Sequence, residues 1–243
     1  MSNLFIIGNG FDLSHGIKSS YKDFREYLKR KYAPTEHEIY DIPTINLEHI
    51  YDYSDIADFW FNVFDANNDI EWSKFEDSLY GQYYGDCFSE MVMDRDGEEN
   101  LLKTAGNNEP LSKSIVKIVP FINQFFTEWI NQVVIDNVKP RKEFQELIDH
   151  NKDIFFSTNY TLTLENVYNI RKVCHIHGKL GEDFIFGHGE DDSLYEKYEQ
   201  ENIGTKGYLS DIDRMLRKNV QNALKTHHSF FEFLGKTPVE KIY

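Results

Sequence analysis

Cysteine is almost missing from this chain: Cys87 and Cys174 are the two in 243 residues. A disulfide framework is thereby excluded, and the usage fits a reducing compartment. Long apolar runs are missing too. None comes near the roughly 18 residues that a membrane-crossing helix requires, which excludes an integral membrane protein. No basic stretch followed by an apolar segment of signal-peptide length opens the chain, so the expected location is the cytoplasm. Positive charge is scarce, with 26 Lys and Arg against 41 Asp and Glu for a net charge of −15. Such a field repels a polyphosphate backbone, and no basic patch is evident, so nucleic acid is set aside as the main partner. One further absence is a single glycine. Position 13 is leucine, where the dinucleotide fingerprint of ordinary NAD dehydrogenases needs its third glycine.

Aromatic side chains are plentiful, 19 Phe and 15 Tyr, as suits a packed core rather than disorder. The length fits one large α/β domain with an insertion. Leu4–Ile7 read as a strand buried on both faces that runs into the turn Gly8-Asn9-Gly10. Gly8 and Gly10 are expected to turn the chain with positive φ and to let a ligand approach the backbone. A helix beginning next would aim free N–H groups at that place. Ser20 and Asp23 have capping-box spacing ahead of an amphipathic helix from about Tyr21 to Tyr32, stopped by Pro34. From Thr35 to about Glu99 acidic and aromatic residues recur at helical spacing, including Trp72, Phe75 and Leu79. Asp94 to Pro110 reads as an exposed loop, and an amphipathic helix follows that Pro120 kinks or begins.

The pattern changes at Asp153. Short apolar segments at 154–157, 173–177 and 184–186 each end in polar residues or glycine, and a last helix is expected from Ser210 to Gly235 before a further strand at Val239. The fold class that results is α/β, a mostly parallel Rossmann-like sheet with a large α-helical insertion. The expected divisions are 1–34 for the first strand, glycine loop and helix, 35–150 for the insertion, and 151–243 for the rest of the α/β domain.

In a parallel sheet the strands' carboxyl ends line one edge, where residues distant in sequence converge. Three polar sets fall at such ends: Asn9 with Asp12 and His15, Asn159 with Thr161, and His175 with His177. A carboxamide holds a water or a ribose hydroxyl without carrying charge, and an imidazole takes a proton near neutral pH. Together they suit attack on a sugar C1 whose leaving group is already cationic, as nicotinamide is in NAD. His175 and His177, with Cys174, His188 or His15, match no familiar zinc spacing, and no metal is expected.

Gly8-Asn9-Gly10-Phe11-Asp12-Leu13-Ser14-His15-Gly16 with Tyr21 and Phe24, Ser157-Thr158-Asn159-Tyr160-Thr161 with Leu164 and Glu165, His175-Ile176-His177-Gly178, and Phe186-Gly187-His188 together resemble the AbiH family of bacteriophage abortive-infection proteins. That family is similar in turn to sirtuin-type domains, which bind NAD on a Rossmann-like sheet, and several defence proteins of the wider group destroy NAD. The resemblance implies a hydrolase that cleaves the nicotinamide–ribose bond, with His177 and Asn159 as catalytic residues. It implies a dinucleotide site of Gly8, Asn9, Gly10, Phe11, Asp12, His15, Thr158 and Gly178. Asp12 stands where sirtuin-type loops place a serine, and Thr161 where they place an aspartate. AbiH-like proteins continue after an Ile-Tyr pair into another strand, whereas this sequence stops at Ile242-Tyr243, which reads as a truncated copy. Two other readings stay open: a sensor of NAD or ADP-ribose without turnover, and a metal-dependent nuclease or toxin. The expected partners are the dinucleotide, a phage-derived trigger or a second copy of the chain.

Overall fold

The computed structural model describes residues 2–32, 53–65, 75–76, 79–81, 84, 88, 91–182 and 184–243, without the side chains of 58, 62–65 and 206. Pro34, Trp72 and Cys87 lie outside the described residues. In chain order the elements are β1 (Ser2–Ile7), α1 (Asn9–Ser14), α2 (Tyr21–Tyr32), α3 (Tyr53–Asp65), α4 (Leu101–Ile118), α5 (Pro120–Ile130), α6 (Lys142–Leu147), β2 (Ile154–Ser157), α7 (Thr163–Tyr168), β3 (Val173–His175), α8 (Tyr195–Glu201), α9 (Lys206–Met215), α10 (Val220–Thr226), α11 (His228–Lys236) and β4 (Val239–Ile242). They group into two compact units, one of Met1–Phe24, Phe126–Phe186 and Lys218–Tyr243, the other of Arg25–Phe125 and Gly187–Arg217.

The first unit is built on a four-stranded, all-parallel sheet in the order β3-β2-β1-β4. Leu4 to Ile7 lie opposite Ile154 to Ser157, and Phe155 to Ser157 lie opposite Val173 to His175. The chain steps from β1 outward to β2 and β3, then returns to the other side of β1 for β4. That reversal puts a switch point at β1, and in open parallel sheets the ligand crevice lies outside the carboxyl ends of the strands at such a point. The core beside the sheet holds Phe5, Ile7, Ile148, Phe155, Leu164, Tyr168 and Ile170. Phe5 stacks between Phe155 and Tyr243, with ring centroids at 5.3 and 4.9 Å.

The second unit is helical. α9 packs on α8 and α4, and Trp60, fully buried, donates its indole N–H to the Ile118 carbonyl at 3.2 Å. Gly204 has φ +84°, and a Cβ there would stand 2.7 Å from Ala105 Cα. Both the backbone conformation and the backbone neighbour therefore require glycine.

Several expectations change. Ile6 is 50% exposed, so β1 is not buried on both faces. Its cross-strand neighbour Phe156 is covered by Phe230 and Phe231, while Ile6 is left half open. Gly8 is extended, with φ −118° and ψ 179°, because α1 begins at the very next residue. Neither Gly8 nor Gly10 has positive φ; Gly16 does, at +74°. The expected loop from Asp94 to Pro110 holds only to Asn100; Leu101 instead starts α4, whose first turn is capped by Asn100 accepting from Lys103 N–H at 2.9 Å. Pro110 sits inside that helix. β3 ends at His175, where Gly178 N–H turns back to the His175 carbonyl at 3.1 Å. His177 thus lies in a turn and does not share a strand face with His175. Residues 184–186 form no strand; the fourth strand is Val239–Ile242. The expected helix from Ser210 is three helices, and Ser210 and Asp213 fall inside α9 rather than at its cap. The Asp213 carboxylate instead accepts from Gly81 N–H at 3.2 Å.

Candidate functional site at the carboxyl edge of the sheet

Two connections meet beyond β1 and β2. Thr158 N–H donates to the Ile7 carbonyl at 2.9 Å, continuing the strand pairing by one residue. Asn159 then turns inward and its side-chain amide donates to the Gly8 carbonyl at 3.1 Å. Gly8 also accepts from Phe11 N–H at 2.9 Å, so the glycine loop is fastened both to α1 and to the loop after β2. Asn159 is 6% exposed, and its backbone is held on both sides. Its N–H donates to Ser157 Oγ at 3.1 Å, and its carbonyl accepts from His175 Nδ1 at 2.9 Å. The other nitrogen of His175 lies 2.8 Å from Glu165 Oε1. This His175–Glu165 pair braces the loop from beneath.

His177 is half-buried in the turn after β3, with its ring 6.1 Å from that of Tyr160. Its pKa is held down to about 4, mainly by burial and further by the Lys218 ammonium, against a hydrogen bond to the Thr158 backbone that favours the charged form. The lowered pKa leaves the imidazole neutral at pH 7, with a ring N–H directed at the Thr158 backbone. His177 and Asn159 are linked through adjacent residues of one loop, since Thr158 touches the first and precedes the second.

Asp12 is interior, at 1% exposure. Thr161 Oγ1 donates to its Oδ2 at 2.5 Å, while Oδ1 is buried with no hydrogen-bond partner among the described residues. Burial raises its pKa, opposed by hydrogen bonds from Thr161, Thr163 and Asn159. Asp12 thus ties α1 to the segment leading into α7 and does not face outward toward a phosphate. Phe11 packs against Phe144 and Tyr168, at centroid distances of 4.9 and 5.8 Å. His15 is engaged at both nitrogens. Its Nδ1 donates to the Phe11 carbonyl at 2.7 Å, and its Nε2 accepts from Tyr168 O–H at 2.6 Å. The Tyr168 oxygen in turn accepts from Arg141 N–H at 2.8 Å.

The ten residues singled out from sequence therefore separate into two groups. Gly8, Thr158, Asn159 and His177 gather at the carboxyl edge, with Asn9 and Gly10 on the same loop; Asn9 Oδ1 accepts from Ser19 Oγ at 2.8 Å. Phe11, Asp12 and His15 lie behind that edge and hold it, and Gly178, buried with φ +79°, forms the turn that carries His177. Thr163, which hydrogen-bonds Asp12 from the first position of α7, was missed, although its place in a run of hydroxyl residues was a readable signal. Among the described residues no group of three or more His, Cys, Asp and Glu side chains is placed to hold a metal ion. No described helix is long and apolar enough to cross a membrane.

A parallel α/β protein with a polar, loop-built edge at its sheet reversal is the class that this geometry defines. The family model described as bacteriophage abortive infection AbiH matches residues 4–243, and the chain belongs to that family. Neither the curated proteins nor the solved structures searched contain a match.

Proposed function

We propose that this AbiH-family chain acts in phage defence by binding NAD over the Gly8–Gly10 loop and hydrolysing its nicotinamide–ribose bond. The observation that carries the reading is the Asn159–Gly8 hydrogen bond, which fastens the loop after β2 to the glycine loop beside a neutral, half-buried His177. In the proposed reaction the C1–N bond breaks and its electron pair passes to the pyridinium nitrogen, so nicotinamide leaves neutral. Water adds at C1 of the ribose and loses a proton, giving ADP-ribose. His177 accepts that proton, directly or through a ribose hydroxyl, and Asn159 positions the water or the hydroxyl. Gly8, Asn9, Gly10 and Thr158 form the lip under the dinucleotide, while Phe11, Asp12, His15 and Gly178 keep that lip in place. The likeness to sirtuin-type domains, a cytoplasmic setting and a phage-derived trigger belong to the same proposal, as does a division of the α/β part by a helical insertion.

The test is to incubate the purified chain with NAD and follow nicotinamide by chromatography. Release in proportion to protein concentration is expected, with the acid limb of the rate profile near pH 4 rather than 6.5, following the His177 shift. Intact NAD in a preparation that binds it would overturn the hydrolytic step. A second reading, a sensor of NAD or ADP-ribose without turnover, is favoured by that same low basicity, because a group with a pKa near 4 is a weak base at neutral pH. It predicts a ligand-dependent rise in melting temperature with no product.

A further inference from the structure

A second concave site lies in the sheet-bearing unit, along the outer edge of β3 and away from the Gly8 loop. It is a groove of about 680 Å³ between the segments that lead into β2 and β3 on one side and α11 on the other. Its charge runs against that of the chain. Lys152, Arg171, Lys172 and Lys179 line it, opposed by Asp153 and Glu182, in a protein of net charge −15. Two of these cations are already matched: Lys152 lies 3.2 Å from Asp149 and Lys179 3.8 Å from Glu182. Asp153 is occupied elsewhere, accepting from Asn3 N–H at 2.9 Å and Asp149 N–H at 2.7 Å. Arg171 and Lys172 are exposed and pair with no carboxylate among the described residues. They give the groove unbalanced positive charge, where a phosphate would gain charge-assisted hydrogen bonds.

The facing wall is aromatic. Phe230 is backed by Phe156, with ring centroids at 5.8 Å, and Phe233 stands in the same wall 54% exposed. An exposed phenyl ring in a groove that also carries two unmatched cations meets the two needs of a nucleotide, a flat surface for the base and a cationic seat for the phosphates. We propose that this groove binds a nucleoside phosphate, with the phosphates on Arg171 and Lys172 and the base on Phe233. The volume lies in the range of small-ligand sites. This site takes in no residue of the Gly8 loop and does not depend on the NAD reading.

Isothermal titration of the full chain with ATP, pyrophosphate and adenosine in EDTA tests it. ATP is expected to bind more tightly than either fragment, and to weaken as salt is raised. Replacing Arg171 and Lys172 together by Ala is expected to weaken ATP and pyrophosphate by about tenfold or more. Phe233→Ala is expected to weaken ATP by about fivefold and leave pyrophosphate unchanged. All three side chains are exposed, and unchanged melting curves would show that the variants fold. Absence of ATP binding overturns the proposal. So does ATP binding that survives the Arg171 and Lys172 replacements, or that is lost only on Asn159→Ala. A glutamate-rich peptide that binds where ATP does not would also overturn it, by making the groove a peptide site along β3.

Discussion

His177→Ala is expected to lower nicotinamide release from NAD by about 10²-fold, the low end of what a positioned general base contributes, because a base with a pKa near 4 is weak at neutral pH. The side chain supplies one lone pair at neutral pH, because burial and Lys218 keep it from being protonated. The loss should fall on kcat more than on KM, since the dinucleotide lip is formed by other residues. Asn159→Ala should produce a comparable loss of rate together with a measurable loss of stability, because it also removes the hydrogen bond to Gly8, worth about 0.5–1.5 kcal/mol. A His177→Ala chain that melts like the parent and releases nicotinamide at an undiminished rate would take His177 out of the chemistry.

Phe5→Ala is expected to destabilise the chain by about 3–5 kcal/mol, a large share of the ~5–15 kcal/mol that holds most domains folded. Phe5 is 1% exposed on the strand that pairs with both β2 and β4, and it touches three other rings. Phe155 and Tyr243 stack on it, and Phe144 meets it edge to face at 5.6 Å. Truncation to Ala removes contacts to β2, to α6 and to Tyr243 just past β4 together, and a rigid sheet cannot collapse into the space. Urea unfolding followed by circular dichroism reads the effect as a fall in midpoint with little change in slope. A loss under about 1 kcal/mol would show that the site relaxes around the cavity.

The parts of this fold that were legible in the sequence are those with local causes. Apolar runs marked β1, β2 and β3. Ser20 and Asp23 form the reciprocal cap that their spacing implied, with Ser20 N–H donating to Asp23 Oδ2 at 3.0 Å and Asp23 N–H to Ser20 Oγ at 3.1 Å. Pro120 opens α5, at the first helical position, where its missing N–H costs nothing. The parts that were not legible depend on partners far along the chain. Asp12 could be counted with the dinucleotide site because its partner Thr161 is 149 residues away. His15 could be counted with the same site because Tyr168, which occupies its Nε2, is 153 residues on. Both 184–186, wholly apolar, and Val239–Ile242, with Glu240 and Lys241 between its apolar ends, were expected as strands, yet only the second forms one, because it pairs with the open side of β1. At the candidate site, the approach of Asn159 to Gly8 was expected from parallel-sheet topology, but the lowered basicity of His177 comes from its burial and the neighbouring Lys218, which the sequence does not show.

The most direct test is a crystal of the chain soaked with NAD. Density for the dinucleotide over Gly8–Gly10, with the nicotinamide ribose within hydrogen-bonding reach of His177 and Asn159, is the predicted result. NAD bound elsewhere, or a Gly8 loop left empty at a concentration that saturates binding in solution, would contradict it.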